Sequence, residues 1–277
     1  MVNVLTIARK EFSDLLTNGM VVVVLGVYLV FLGLSIYNFY TLLSSGQLSD
    51  DGDYSLNSNL GVYCSEYVYR MVADFTLFIG VIIGCASMSN ELHKHALNTL
   101  IVKPVYRDTI INGKLLGALS FILIIVTITA ILYTASILVL CGNSLAPYLG
   151  DYLGRIMAMF GVLLITAIIF MSMSMLVSIL MRSQAFSLMI AVILLYVSKY
   201  VPWFSNFIND VYVGMGELIT SLSPYGLTNL ISYKMFRPSL TVTEALSSSG
   251  SYIIGLLILF VLTMVINYII FMRRDIS

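Results

Sequence analysis

Few residues of this chain could carry catalysis or hold a cofactor, and their spacing argues against most of the reactions they suggest. A phosphate-cradling loop needs glycines spaced as GxxxxGK and followed by Ser or Thr. The only Gly-Lys here, Gly113-Lys114, is followed by Leu115 and has no upstream glycine at the required spacing. His93 and His95 are two positions apart, which on a helix points them to different sides rather than at one metal ion. Cys64, Cys85 and Cys141 have no metal-type spacing and cannot all pair. Isolated thiols in apolar surroundings are the simpler reading, although Cys64 and Cys141 fall on the same side of the topology derived below, where a bridge is possible. Met157, Met159, Met171, Met173, Met175, Met181 and Met189 suggest a soft-metal path. Positions 171, 173 and 175 alternate, however, and so spread around a helix, as expected of a flexible filler of helix interfaces. No Ser/His/Asp or Cys/His set accompanies the apolar runs, so the chain is read as neither a hydrolase nor any other enzyme. No cofactor is expected on it.

What must position these residues is a membrane domain. Of 277 residues 59% are hydrophobic and 10% charged, against roughly 25% charged in an ordinary soluble domain. The expected fold is all-α and polytopic, a single membrane domain over residues 1–277. Six crossings are expected, at about 20–40, 72–89, 115–140, 156–181, 185–201 and 253–272. The formal net charge is zero, so no global field recruits nucleic acid. Arg9, Lys10, Lys94, Lys103, Arg107, Lys114, Arg182, Arg273 and Arg274 fall on the side of the termini. They outnumber Arg70, Arg155, Lys199, Lys234 and Arg237 on the other, so both termini are expected in the cytoplasm of a cell (plasma) membrane protein. No cleavable leader is recognisable.

Residues 2–17 instead read as an amphipathic helix in the inner headgroup layer. Val4, Leu5, Ala8, Phe12, Leu15 and Leu16 lie along one face, and Arg9 and Lys10 sit near anionic lipid. Asn18-Gly19 supplies the break before the first span. On the outer side, residues 41–69 are rich in Ser, Asp, Asn and Gly and read as an irregular connection. Residues 202–252 hold two apolar patches, Val211 to Leu222 and Leu227 to Phe236, separated by Ser223-Pro224-Tyr225-Gly226. Each is too short to cross, so short interfacial or re-entrant helices before the last span are expected.

The centres of the six spans carry no ionisable group, which counts against a proton- or sodium-coupled pump. Asp74 and Lys199 are expected near the outer boundary, solvated or paired with loop charges. Asn267 is a candidate for an interhelical hydrogen bond. Gly80 with Gly84, and Gly113 with Gly117, have the small-xxx-small spacing that permits close helix approach.

Between the second and third spans lies a charged segment running from Glu91 to Arg107. Leu92, Ala96, Leu97, Leu100 and Ile101 recur at helical spacing, and Lys103-Pro104 ends the pattern. Here the sequence resembles the permease subunits of the type-2 ATP-binding-cassette (ABC) exporters. Glu91, Leu97, Leu100, Pro104, Val105, Arg107, Gly113 and Lys114 match that family's pattern, while His95 and Ala96 stand where it usually has Gly and Thr. Ile7-Ala8-Arg9-Lys10-Glu11-Phe12 resembles the family's amphipathic opening helix, and Ser223-Pro224-Tyr225 its short motif before the last span. The pattern is most similar to permeases grouped with copper-enzyme maturation or with export of ions, peptides or antibiotics.

The resemblance implies a transport subunit, an exporter, that pairs with a second copy or a close relative. It also implies a separate cytoplasmic ATPase that holds the ATP and Mg. The segment from Glu91 to Arg107 would be the coupling helix. Leu97 and Leu100 would be its apolar anchors, Glu91 and Arg107 its polar clamps and Pro104 its turn. The helix bearing Arg9, Lys10 and Phe12 would be a second contact, and Lys114 would sit at the membrane boundary. The other classes are an ATP-independent carrier or channel, against which the missing intramembrane charges and lack of two-half symmetry count, and a membrane scaffold that moves no cargo.

Overall fold

The computed structural model describes residues 4–44, 56–93, 107–181, 183–211 and 215–273, and is helical nearly throughout, with no strand among them. The helices are α1 (Val4–Thr17), α2 (Gly19–Ser44), α3 (Leu56–His93), α4 (Arg107–Leu145), α5 (Leu149–Leu180), α6 (Gln184–Val211), α7 (Met215–Leu222), α8 (Pro224–Met235) and α9 (Val242–Arg273). Six stretches are long and apolar enough to cross a bilayer: Gly19–Leu42, Leu60–Met88, Asn112–Gly142, Ala146–Leu180, Ala185–Ser205 and Val242–Ile270. A helix satisfies its backbone internally, which hydrocarbon requires of any lipid-exposed segment.

The burial pattern ranks the spans. The apolar window of α3 is 78% buried and that of α5 67%, whereas those of α2, α6 and α9 are 22% or less. The molecule is therefore built around an α3–α5 pair, with the other spans turning apolar faces outward. Two glycines of α3 set that pairing. A Cβ on Gly80 would stand 2.8 Å from the Ala167 carbonyl oxygen, and one on Gly84 2.3 Å from that of Met171. The small-xxx-small spacing thus works as a close-packing seam. Around it, Tyr28 donates to Thr129 at 2.9 Å, Ser35 and Tyr133 share a 2.5 Å bond, and Asn267 of α9 donates to the Ser172 carbonyl of α5 at 2.7 Å. Met159, Met171 and Met175 fill the core, while Met157 and Met189 are exposed, in keeping with methionine as packing material.

Several boundaries differ from those expected. The second span starts near Leu60 rather than 72, because α3 runs for 38 residues, about 57 Å at a rise of 1.5 Å per residue, and carries Glu66, Arg70 and Asp74 within it. Charge-free windows cut it short. The expectation that span centres lack ionisable groups fails for α3, where Asp74 stands midway along Leu60–Met88, whereas Asp151 and Arg155 lie near the start of the fourth span. Of the irregular connection expected over 41–69, residues 41–44 and 56–69 are helical, and 45–55 lie outside the described residues. The last span begins at Val242 rather than 253. There Thr241 and Glu244 form a capping box, the Glu244 carboxylate accepting from the Thr241 amide at 3.0 Å and the Thr241 hydroxyl from the Glu244 amide at 3.4 Å.

Short helices do occupy the two apolar patches before it. Ser223 caps α8 by accepting from the Gly226 amide at 3.3 Å, with Pro224 in the first turn. A Cβ at Gly226 would lie 2.2 Å from the Thr220 carbonyl, so only glycine allows α7 and α8 to turn so tightly.

Candidate functional site

At the end of the bundle where the chain leaves α3 and re-enters α4, α1 lies across both. Its seat is made by the second glycine pair. A Cβ on Gly113 would come 2.6 Å from Ile7 Cβ, and one on Gly117 2.7 Å from the Ala8 carbonyl oxygen. Ala8 and Leu15 are buried there, and the Phe12 ring meets Phe121 of α4 edge to face at 5.3 Å. Arg9 and Lys10 are exposed, as expected. Leu5 and Leu16, on the apolar face expected to meet the headgroup layer, are 66% and 50% exposed, whereas Glu11 is buried.

Glu11 is the unexpected member. Its carboxylate accepts from the Lys114 ammonium at 2.8 Å through Oε2 and from the Ser87 hydroxyl at 2.5 Å through Oε1. Lys114 also donates to the Ser87 carbonyl at 3.0 Å. The Lys114 and Glu11 side chains are 3% and 9% exposed. Three helices, α1, α3 and α4, are thus joined by one buried ion pair with its hydrogen bonds largely satisfied. Each charge is desolvated, and each would be costly without the other. Lys114, expected at the membrane boundary, stands at the start of the Asn112–Gly142 stretch and is buried there against α1. The signal was legible: Glu11 stands between Ala8 and Leu15 at helical spacing, where a carboxylate needs a cation, and Lys114 is flanked by the glycines that admit α1.

Of the residues expected to contact an ATPase, Glu91 belongs to the last turn of α3 and Arg107 to the first turn of α4, both at this end of the bundle. Leu97, Leu100 and Pro104 lie outside the described residues. Of the amphipathic-helix residues, Phe12 packs on Phe121 of α4, one residue from Glu11 in the chain, while Arg9 and Lys10 face outward.

Two further polar clusters sit toward the opposite end. Arg155 of α5, almost wholly buried, donates to Asp151 at 2.9 Å, to the Met235 carbonyl and to the Leu240 carbonyl at 2.5 Å, holding the end of α8 and the approach to α9. Asp74 of α3 pairs with Lys199 of α6 rather than with loop charges. The Tyr225 hydroxyl donates to Asp74 at 3.4 Å. Burial, and then the Asp74 carboxylate, push the Tyr225 phenol up to about 12, so it stays a donor. All three cysteines are buried and free.

Six helices long and apolar enough to cross a bilayer, with an amphipathic helix locked across two of them, have the build of a multi-pass membrane protein. Residues 5–276 match the family described as ABC-2 family transporter protein, and the chain belongs to that family. It is a permease component of an ABC transporter, a transport subunit that is not itself catalytic; in general such permeases work with an ABC ATPase. Comparison with curated proteins gave no match.

Proposed function

We propose that this chain carries a substrate outward across the cell membrane, as a homodimer or with a close relative, while a separate cytoplasmic ATPase binds and hydrolyses ATP with Mg. Both termini are then cytoplasmic, and the ATPase docks on the segment from Glu91 to Arg107, with Leu97 and Leu100 as anchors, Pro104 as the turn, and α1 as a second contact. Within the family, the residues quoted above lie nearest to permeases grouped with copper-enzyme maturation.

The observation that carries this reading is the Glu11–Lys114–Ser87 lock. It ties α1 to α3 and α4 at the end where those two helices emit the proposed docking segment. A push on that segment or on α1 would move the two helices together, and α3 is half of the central pair.

Co-purification of the tagged chain from its native membrane tests the proposal. The expected result is an associated ATPase whose turnover depends on this subunit. Replacement of Leu97 and Leu100 by Asp should abolish that association while leaving membrane insertion intact. Unchanged association in the double variant would remove the docking assignment, and absence of any ATPase would remove the reading as a whole.

A further inference from the structure

Two facing stripes of side chains run down the half of the bundle away from α1. On α3 the stripe is Tyr63, Glu66, Tyr67, Arg70, Asp74 and Leu77, spaced as one helical face. On α8 and just past it stand Tyr225, Thr228, Asn229, Ser232 and Phe236, again one face. The α3 and α8 backbones are not closely packed against each other. The two elements touch where the ring of Tyr69, beside the α3 stripe, lies 5.5 Å from that of Phe236 and where Tyr225 reaches Asp74.

The gap is a cleft in two compartments. The outer, of about 280 Å³, is lined by Tyr63, Glu66, Tyr67, Arg70, Phe236 and Pro238, with Val62 beside them. The inner, of about 170 Å³, reaches past Arg70 and Phe236 to Asp74, Leu77 and the hydroxyl- and amide-bearing face of α8. Arg70 and Phe236 border both. The Arg70 side chain is 73% exposed, so the outer compartment is open to its surroundings.

Each charge lining this cleft has a partner of opposite sign: Glu66 and Arg70 both line it, and Asp74 is paired with Lys199 behind the lining. Arg70 donates to Glu66 through Nε at 2.9 Å and through a terminal nitrogen at 2.6 Å, and Lys199 pairs with Asp74. A ligand of one net sign would meet attraction from one member of a pair and repulsion from the other. It would also enter a low-dielectric site without a compensating counter-charge. A molecule whose own charges are balanced can satisfy both members at once. The aromatic walls suit a flat apolar body, and Arg70 can lie over a ring face.

We propose that this cleft is a binding site for a neutral or zwitterionic amphiphile, its apolar body against Tyr63, Tyr67 and Phe236 and its polar group toward Asp74, Tyr225 and Asn229. The assignment rests on the reading of the chain as the subunit that carries substrate. It names the class of molecule carried or, where the occupant is a lipid, the headgroup recognised.

The test is equilibrium binding to the full chain in phosphatidylglycerol nanodiscs, without ATPase, using three probes with a common aromatic body: Nε-dansyl-lysine (zwitterionic), dansyl-cadaverine (cationic) and dansyl-glycine (anionic). The expected result is saturable fluorescence enhancement by dansyl-lysine, at least about tenfold tighter than by either charged probe. Asn229→Trp, at an exposed position on the inner wall, and Phe236→Ala should each weaken it about tenfold. Glu66→Gln, which leaves Arg70 unbalanced, should turn the preference toward dansyl-glycine, a change that loss of structure does not produce.

Equal binding of the three probes would overturn the proposal. So would unchanged dansyl-lysine binding in Asn229→Trp protein that elutes and gives a helical circular-dichroism signal as the parent does. Titration of phosphatidylcholine into the nanodiscs separates the sources: displacement of dansyl-lysine assigns the cleft to a lipid headgroup, and its persistence to a soluble amphiphile. Because no ATPase is present, failure here leaves the coupling reading standing. Failure of the co-purification experiment likewise leaves the cleft.

Discussion

Lys114→Met is the sharpest test of the lock between α1 and the spans. Both partners are nearly inaccessible, at 3% and 9% side-chain exposure. Removal of the ammonium therefore strands the Glu11 carboxylate with the Ser87 hydroxyl alone. Truncating one partner of a buried pair costs about 3–5 kcal/mol. For a chain of this size roughly 2 °C or more is lost per kcal/mol, so the apparent Tm in nanodiscs should fall by at least about 6 °C.

The double variant Glu11→Leu with Lys114→Met leaves no lone charge and should recover most of that loss, to within about 1 kcal/mol of the parent. Raising salt from about 0.05 M to about 0.5 M should change the parent little, because screening acts on exposed pairs. Circular dichroism at rising temperature, read as a double-mutant cycle, supplies all four corners. A Lys114→Met protein that melts within about 1 °C of the parent would refute the reasoning, since an ammonium that can be deleted without loss is solvated rather than buried.

Gly84→Val should disrupt the α3–α5 seam, because the added carbon meets the Met171 carbonyl. A loss of about 1–3 kcal/mol or more is expected, while Gly161→Ala, where nothing lies within 4 Å, should be neutral or slightly stabilising. Denaturant titration of the two variants side by side checks this. Asn267→Leu removes two donated bonds to Ser172 and should cost about 1 kcal/mol, the usual size of an interhelical hydrogen bond in a membrane, measured the same way. For orientation, Ser45→Cys and Asp108→Cys in a background lacking the native cysteines should differ toward an impermeant thiol reagent. Labelling at 45 and protection at 108 in intact cells is expected, and the reverse pattern would invert the topology.

The number of spans was legible because apolar runs long enough to cross are a property of composition. Their ends were not. Glu66, Arg70, Asp151 and Arg155 each terminate a charge-free window, yet each sits within a helix that continues, because Glu66 pairs with Arg70 and Asp151 with Arg155 one turn away. The pairing is local and could have been read from the i, i+4 spacing. The Asp74–Lys199 pair joins residues 125 positions apart, and nothing short of the fold brings them together. The glycine pairs lie between these cases. Their spacing announced close approach, but only the fold says that Gly80 and Gly84 receive α5 while Gly113 and Gly117 receive α1.

The same distinction bears on why α1 needs an ion pair at all. An amphipathic helix held by apolar contacts can slide along its own axis at little cost, since each leucine finds another greasy surface. Glu11 removes that freedom, because only one register sets its carboxylate against both Lys114 and Ser87. A buried pair is weak evidence for net stability, as apolar residues of similar volume often serve as well. What it supplies is a single register between α1 and the α3 and α4 helices that flank the proposed docking segment. If that register transmits the ATPase's stroke, the doubly apolar variant should fold and insert like the parent yet lose its hold on ATP turnover.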